Sequence, residues 1–249
     1  DQGRLDAAQL LAEVRGPLVV CAQAGDVNSG AFDPFVDIVA WARARDGWVH
    51  VDGAFGLWAL ADPSRAHLTA GLTGADSWAT DGHKWLNVPY DCGIALVRRA
   101  GDLRRSFTAS AGYLPPGPGF EATNHTPQSS QRARQVEVWA VLRTLGRQGV
   151  TDLITRSCRH ARTMAAELSR AGLEVVNDVV LNQVLVRAVT DDQTTALIAA
   201  VQQDGTCWCG PTVWQHRPAM RISISGWATT AADIRHSADA IITAARSLT

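Results

Sequence analysis

The sequence predicts an α/β domain built on a mostly parallel sheet, followed by a smaller α+β unit. Three observations carry this reading. Short apolar runs at 18–22 and 48–51 have the length of strands and flank an amphipathic stretch, which is the strand, helix, strand alternation of a parallel sheet. A third strand-like run, 76–80, ends in the polar turn Asp81-Gly82-His83-Lys84, which places an amine ahead of a further apolar stretch. Beyond residue 150 the pattern changes to strand-like runs at 173–176, 183–188 and 220–225 and helical stretches at 194–203 and 231–247.

Taken in order, residues 5–14 carry apolar positions at helical spacing, and Gly16-Pro17 ends them. The continuous apolar run 18–22 reads as a strand covered on both faces, and it opens into the turn-rich loop 25–30. Residues 35–45 predict an amphipathic helix with Phe35, Ile38, Val39 and Trp41 facing inward. The next strand, 48–51, ends at Asp52. In parallel sheets ligands gather beyond the carboxyl ends of the strands, and Asp52, Lys84 and the 25–30 loop all fall at such ends. Residues 109–128, with Pro115, Pro116, Gly117, Pro118 and Gly119, read as a surface loop of lid length. A long helical stretch then runs from 129 to about 171, with a break near 146–149. The domain boundary is expected inside it, giving units 1–150 and 151–249. No internal repeat or low-complexity segment is present.

Composition narrows the function classes. A chain of 249 residues can form one large domain or two small ones, and 46% hydrophobic with 19% charged residues is ordinary for a soluble protein. The net charge of -1 offers no basic excess for nucleic acid or an anionic membrane surface. No apolar run reaches the ~18 residues of a membrane span, and the amino terminus lacks a signal-peptide plan, so the cytoplasm is the expected compartment. Cys21, Cys92, Cys158, Cys207 and Cys209 do not read as a disulfide framework. Cys207 and Cys209 lack the second Cys or His pair of a tetrahedral site, so no metal is expected. The chain starts with Asp1 rather than Met and reads as a processed product or a piece of something longer.

Lys84 is expected to lie between two core elements, where burial lowers an amine from its ordinary pKa near ~10.4 and favours Schiff-base chemistry. The alternative is a lysine whose stem covers apolar neighbours while its head reaches water. Asp52, taken alone, reads as the cap of the turn that follows it.

With these residues placed, the chain resembles the pyridoxal-phosphate-dependent group II amino acid decarboxylases, the family of the aromatic amino acid and glutamate decarboxylases. The matching segments are His50-Val51-Asp52-Gly53-Ala54-Phe55-Gly56, and Ala75-Asp76-Ser77 through His83-Lys84-Trp85-Leu86-Asn87-Val88-Pro89-Tyr90-Asp91-Cys92-Gly93. Gly30-Ala31-Phe32-Asp33-Pro34 and Ala219-Met220-Arg221-Ile222-Ser223-Ile224-Ser225 extend the match over essentially the whole chain. The resemblance implies part of a fold type I large domain plus the small carboxy-terminal domain, pyridoxal 5'-phosphate as cofactor, an L-amino acid as substrate, and a homodimer. It implies that Lys84 is the catalytic lysine that carries the cofactor as a Schiff base. Asp52 would pair with the pyridine nitrogen and Ala54 would pack on the ring, with His83, Ser77 and Asp81 near the phosphate. A carboxylate at 81 would be repelled there unless a cation offsets it. Arg221, by likeness to the glutamate branch, would grip the substrate carboxylate with its planar fork, or else form a structural ion pair between domains.

Three departures accompany the match. The family's large domain begins before Asp1, and that upstream part supplies the phosphate loop and a histidine stacked on the ring. The lid tyrosine that returns a proton is not in its usual place: Tyr113 stands at the loop's entrance, with Phe120 and His125 beyond. Val27 occupies a position where animal relatives carry a hydroxyl. Relatives with phenylalanine for that tyrosine tend toward oxidative deamination. An aldehyde-forming or transaminase relative and a non-catalytic fragment are therefore the alternatives to decarboxylation, and the isolated chain is expected not to catalyse.

Overall fold

The computed structural model describes residues 2–9, 18–108, 121–128 and 130–248. Much of the expected first helix and most of the expected lid, with Tyr113 and Phe120, lie outside these residues. The first sheet has the order β1 (Val19–Gln23), β2 (Trp48–Asp52), β3 (Ser77–Asp81) and β4 (Gly93–Val97). The first three strands are parallel and β4 returns antiparallel to β3. Between β1 and β2 lies α1 (Phe35–Arg43), which buries Phe35, Ile38, Val39, Trp41 and Ala42 as its periodicity predicts. The run 18–22 was expected to be covered on both faces, yet it behaves as an alternating strand. Val20 and Ala22 face the core, while Val19 is 68% exposed and Cys21 is also exposed. The reason is that α1 covers one face only. In β4 the edge position likewise leaves Leu96 exposed, where a core element was expected.

After β4 comes α2 (Ala100–Phe107), an arginine-rich helix with no buried residue and hence no apolar period to read. The long helix α3 (Arg134–Arg170) is interrupted at Gly146, whose φ of 62° and ψ of -175° leave the helical region, in the segment where the sequence places a break. Only glycine adopts such a conformation readily. The hydrophobic core around the first sheet takes in Val150, Leu153, Ile154 and Cys158 of α3. A second core begins at Ala161, Met164 and Leu168 of the same helix.

That second core lies against an antiparallel sheet of β5 (Glu174–Val175), β6 (Gln183–Arg187), β7 (Gly210–Trp214) and β8 (Arg217–Ser223), in the order β5, β6, β8, β7. Helices α4 (Asp191–Asp204) and α5 (Ala231–Arg246) pack on it. Each helix starts with a capping box, Thr190 with Gln193 and Thr230 with Asp233, so their starts are locally encoded. Strand β7 is not legible in the sequence because it opens with Gly210-Pro211. Its place at the sheet edge tolerates the missing N–H of proline.

The two sheets are tied together by specific bonds. Asn177 Nδ2 donates to the Ser29 carbonyl at 3.1 Å, and Thr212 Oγ1 donates to Asn28 Oδ1 at 2.7 Å. The 25–30 loop at the end of β1 therefore faces the second sheet. Among the described residues no helix is long and apolar enough to cross a membrane.

Candidate active site at the carboxyl ends of the parallel strands

The turn after β2 is held by its own backbone. Asp52 Oδ1 accepts from the Ala54 N–H at 3.0 Å, which is the turn-cap role, while its second oxygen has no hydrogen-bond partner among the described residues. Gly53 N donates to the Ala79 carbonyl, and Asp81 N donates to the Ala54 carbonyl at 2.9 Å, so the turn is stitched to the end of β3. Gly56 lies so close to β1 that a Cβ there would meet the Ala24 carbonyl oxygen at 2.1 Å. The spacing of Asp52, Gly53 and Gly56 is thus a packing requirement that also aims Asp52 outward.

The turn after β3 carries the amine. Lys84 Nζ lies 3.1 Å from Asp81 Oδ2, with the lysine side chain 40% exposed and the aspartate 26%. Lys84 was expected to be buried. It is instead half-exposed and ion-paired at the sheet's open end, while Trp85, Leu86 and Val88 immediately after it are buried and anchor the backbone. Trp85 packs on Phe55, with ring centres 6.2 Å apart. An ion pair this exposed contributes at most about 1 kcal/mol to stability. Its significance is electrostatic, since Lys84 offsets the Asp81 carboxylate.

His83 is oriented by groups the sequence did not single out. The Cys92 N–H donates to His83 Nδ1 at 3.0 Å, and the ring lies on Tyr90 with centres 4.0 Å apart. Nδ1 also lies 3.2 Å from the Cys92 carbonyl oxygen, so both backbone groups of Cys92 hold that side of the ring and leave Nε2 3.6 Å from Asp81 Oδ2. Asn87 is the other residue that went unread. Its Nδ2 donates to the Ser225 carbonyl at 2.9 Å and its Oδ1 accepts from the Trp227 N–H, clamping the lysine turn to the chain that follows β8. The signal available in advance was an asparagine in a turn, where its backbone takes a φ of 55°.

The structure therefore brings Asp52, Ala54, Asp81, His83 and Lys84 together. Ser77 is not brought to this cluster. It opens β3, four residues or about 13 Å before Asp81, and its hydroxyl is engaged by Trp48 Nε1 and His50 Nδ1, both at 2.8 Å. A side chain facing across the sheet at the strand's start cannot reach a ligand at the strand's end. Arg221 lies in β8 opposite Leu185, half-buried, with no ion pair among the described residues. The ion pair between domains is thus not formed there. It sits four residues, about 13 Å, before Ser225.

The donor set contains one side-chain amine. Lys84 is the only lysine in the chain, and guanidinium groups do not form Schiff bases at neutral pH because they stay protonated. Within these 249 residues Lys84 is the one side chain to which an aldehyde could be joined as a Schiff base. Residues 6–189 match the model of the pyridoxal-dependent decarboxylase conserved domain. The chain belongs to this family.

The pyridoxal-dependent decarboxylases most similar in sequence include the L-2,4-diaminobutyrate decarboxylase of Rhizobium meliloti (strain 1021). It is 30% identical over 266 residues, covering 99% of this chain and 53% of the relative. A 4-hydroxyphenylacetaldehyde synthase of Rhodiola rosea is 33% identical over 139 residues, 55% of this chain and 28% of the relative. The chain spans about half the length of the first relative and less of the second. Among solved structures, Oryza sativa TDC with PLP and tryptamine superposes with a TM-score of 0.90 at 23% identity. The match covers 99% of this chain and 55% of that one. The fold is that of the pyridoxal-phosphate decarboxylases, and the family's cofactor is pyridoxal phosphate.

Proposed function

We propose that this chain supplies the lysine and the ring-nitrogen carboxylate of a pyridoxal-phosphate-dependent L-amino acid decarboxylase, a carboxy-lyase. The observation that supports this best is the pairing of the sole lysine, Lys84, with an open carboxylate, Asp52, on adjacent strand ends tied through Ala54 and Asp81. When bound, the cofactor supplies an electron sink for the pair left behind when carbon dioxide departs. Asp52, through the oxygen not used by the Ala54 N–H, would hold a proton at the ring nitrogen, and Ala54 would bear on the ring face. Lys84 would provide the amine that holds the cofactor and yields it to the substrate amine. His83 would stand beside the phosphate, next to Asp81, which Lys84 and His83 flank. Arg221 would take a substrate carboxylate. A homodimer fits the exposed apolar positions Val136, Trp139 and Leu142 on the first half of α3.

A second reading, a non-catalytic domain, draws on the exposure of Lys84 and Asp52. Aldehyde formation draws on the likeness to the Rhodiola synthase. One experiment separates all three. The protein is incubated with pyridoxal phosphate, reduced with borohydride, and mapped by peptide mass, and in parallel carbon dioxide, amine and aldehyde are measured with L-amino acids. Label on Lys84 with carbon dioxide and amine supports decarboxylation, and aldehyde with ammonia points to the oxidative branch. No label on Lys84 would sink the assignment.

A further inference from the structure

The His83 ring is held from outside its own turn. The segment Tyr90-Asp91-Cys92 lies along one side of it, through the Tyr90 ring at 4.0 Å between centres and through both backbone groups of Cys92 at Nδ1. That segment is in turn gripped by two arginines at the start of α3. Arg134 Nε donates to the Asp91 carbonyl at 3.0 Å and to Asp91 Oδ1 at 2.9 Å, while Arg132 Nη2 donates to the Asp91 carbonyl at 3.1 Å and to the Tyr90 carbonyl at 3.4 Å. Glu137, on the first turn of α3, pairs with Arg132. The same helix backs the lysine turn, since a Cβ on Gly82 would meet Val138 Cγ2 at 3.3 Å and Cys92 Sγ at 3.1 Å. Among the described residues neither arginine is hydrogen-bonded to Asp52, Asp81, His83 or Lys84.

We propose that Arg132 and Arg134 are positioning residues for His83, acting through the one peptide unit that joins Asp91 to Cys92. This rests on the reading that His83 stands beside the cofactor phosphate. The oxygen of that unit accepts from both guanidinium groups, and its N–H donates to His83 Nδ1 at 3.0 Å. A trans peptide is planar and stiff, with its C=O and N–H pointing in opposite directions, so holding the oxygen aims the N–H. Two cations on the oxygen also polarise the unit, which strengthens the N–H as a donor at its other end. A guanidinium that met only an exposed carboxylate would do little, because solvent screening and side-chain entropy offset the attraction. Here three of the four bonds to the 90–91 segment go to main-chain carbonyls, so the grip falls on the backbone that carries the Tyr90 ring and the Cys92 amide. His83, only 11% exposed, is thereby fixed from the side opposite Asp81.

The test has two arms. The first uses the protein without cofactor, with its histidine rings isotope-labelled for NMR and the His83 signals identified by their loss in His83→Asn. Stacking on Tyr90 should move the His83 ring protons upfield, and Tyr90→Leu gives their position without it. Arg132→Gln combined with Arg134→Gln should lose this upfield shift, whereas Arg170→Gln, at the far end of α3 and paired with Glu167, should keep it. The two arginine side chains are 41% and 23% exposed, so the double variant should keep the fold, checked by circular dichroism. The second arm is a double-mutant cycle on pyridoxal phosphate affinity in the complete enzyme, followed by absorbance. Replacing the arginine pair should weaken capture about tenfold, and in a His83→Asn background the same replacement should change it by no more than about twofold. His83 signals unmoved in the folded arginine variant would overturn the proposal. So would full additivity in the cycle, the mark of a structural effect that does not pass through His83. Capture unaffected by His83→Asn would overturn the phosphate reading on which the proposal rests, and it is told apart from the other failures because the first arm needs no cofactor.

Discussion

Replacing Gly56 by alanine tests whether the turn that carries Asp52 is set by backbone packing against β1. The added Cβ would stand 2.1 Å from the Ala24 carbonyl oxygen and 2.8 Å from the Gly25 nitrogen. Ordinary carbon to oxygen contacts are about 3.3 Å or more, so one of two backbone segments must move by roughly 1 Å, and neither is the free end of a flexible side chain. Overpacking of this kind costs about 1–3 kcal/mol, and at about 2–4 °C per kcal/mol for a chain of this size the melting temperature should fall by roughly 2–12 °C. Gly210→Ala is the control, because a Cβ there meets nothing within 4 Å and the backbone is not left-handed. Its effect should stay within about 0.5 kcal/mol. Both variants are compared by thermal and urea unfolding, and pyridoxal phosphate capture is followed by absorbance. A Gly56→Ala protein as stable as Gly210→Ala, with unchanged capture, would refute the packing argument.

Further outcomes follow from other sites. Asp52→Asn should preserve the turn, since the amide oxygen can still accept from Ala54, and in the complete enzyme it should keep borohydride labelling of Lys84 while cutting turnover by about 100-fold or more. Near-normal turnover would dismiss the ring-nitrogen role. Asp62 is buried beside Arg65. Desolvation pushes its pKa up, but hydrogen bonds from Ser64 and Thr155 and the Arg65 charge outweigh this and hold it below the ordinary 3.8. Its contribution to stability is therefore complete above the unfolded value and fades as pH falls through the lower folded value. Asp62→Ala, which strands the buried guanidinium, should cost about 3–5 kcal/mol near neutral pH and flatten the acid limb of the stability profile seen in urea unfolding. The Cys207 thiol is drawn down to about 7 by the hydrogen bond from Cys209, against burial that pushes it up. Alkylation by iodoacetamide, which needs the thiolate, should rise through pH ~7 and shift to higher pH in Cys209→Ala, as read by peptide mass mapping. An unshifted profile would show that Cys209 is not the cause.

Much of this protein is written locally. The apolar runs at β1 and β2, the half-polar run at β3, the periodicity of α1, the capping residues of α4 and α5, and the break at Gly146 each follow from short-range pattern and backbone chemistry. Asp52 and Lys84 could be singled out because strand ends in a parallel sheet are where ligands collect, and the motifs around them are contiguous. What required the tertiary structure is everything set by register and by contact across the chain. Ser77 and Asp81 occupy one strand, yet only the register of β3 shows that its two ends serve different neighbours, His50 at one and Ala54 at the other. The degree of burial of Lys84 depends on what packs above the strand ends, which no local run encodes. The clamp by Asn87 joins residues 138 positions apart, and the grip of Arg134 on Asp91 joins residues 43 positions apart. Local sequence sets torsions and periodicity, whereas these contacts are made only when distant segments share one core, and their partners are therefore invisible until the chain has folded.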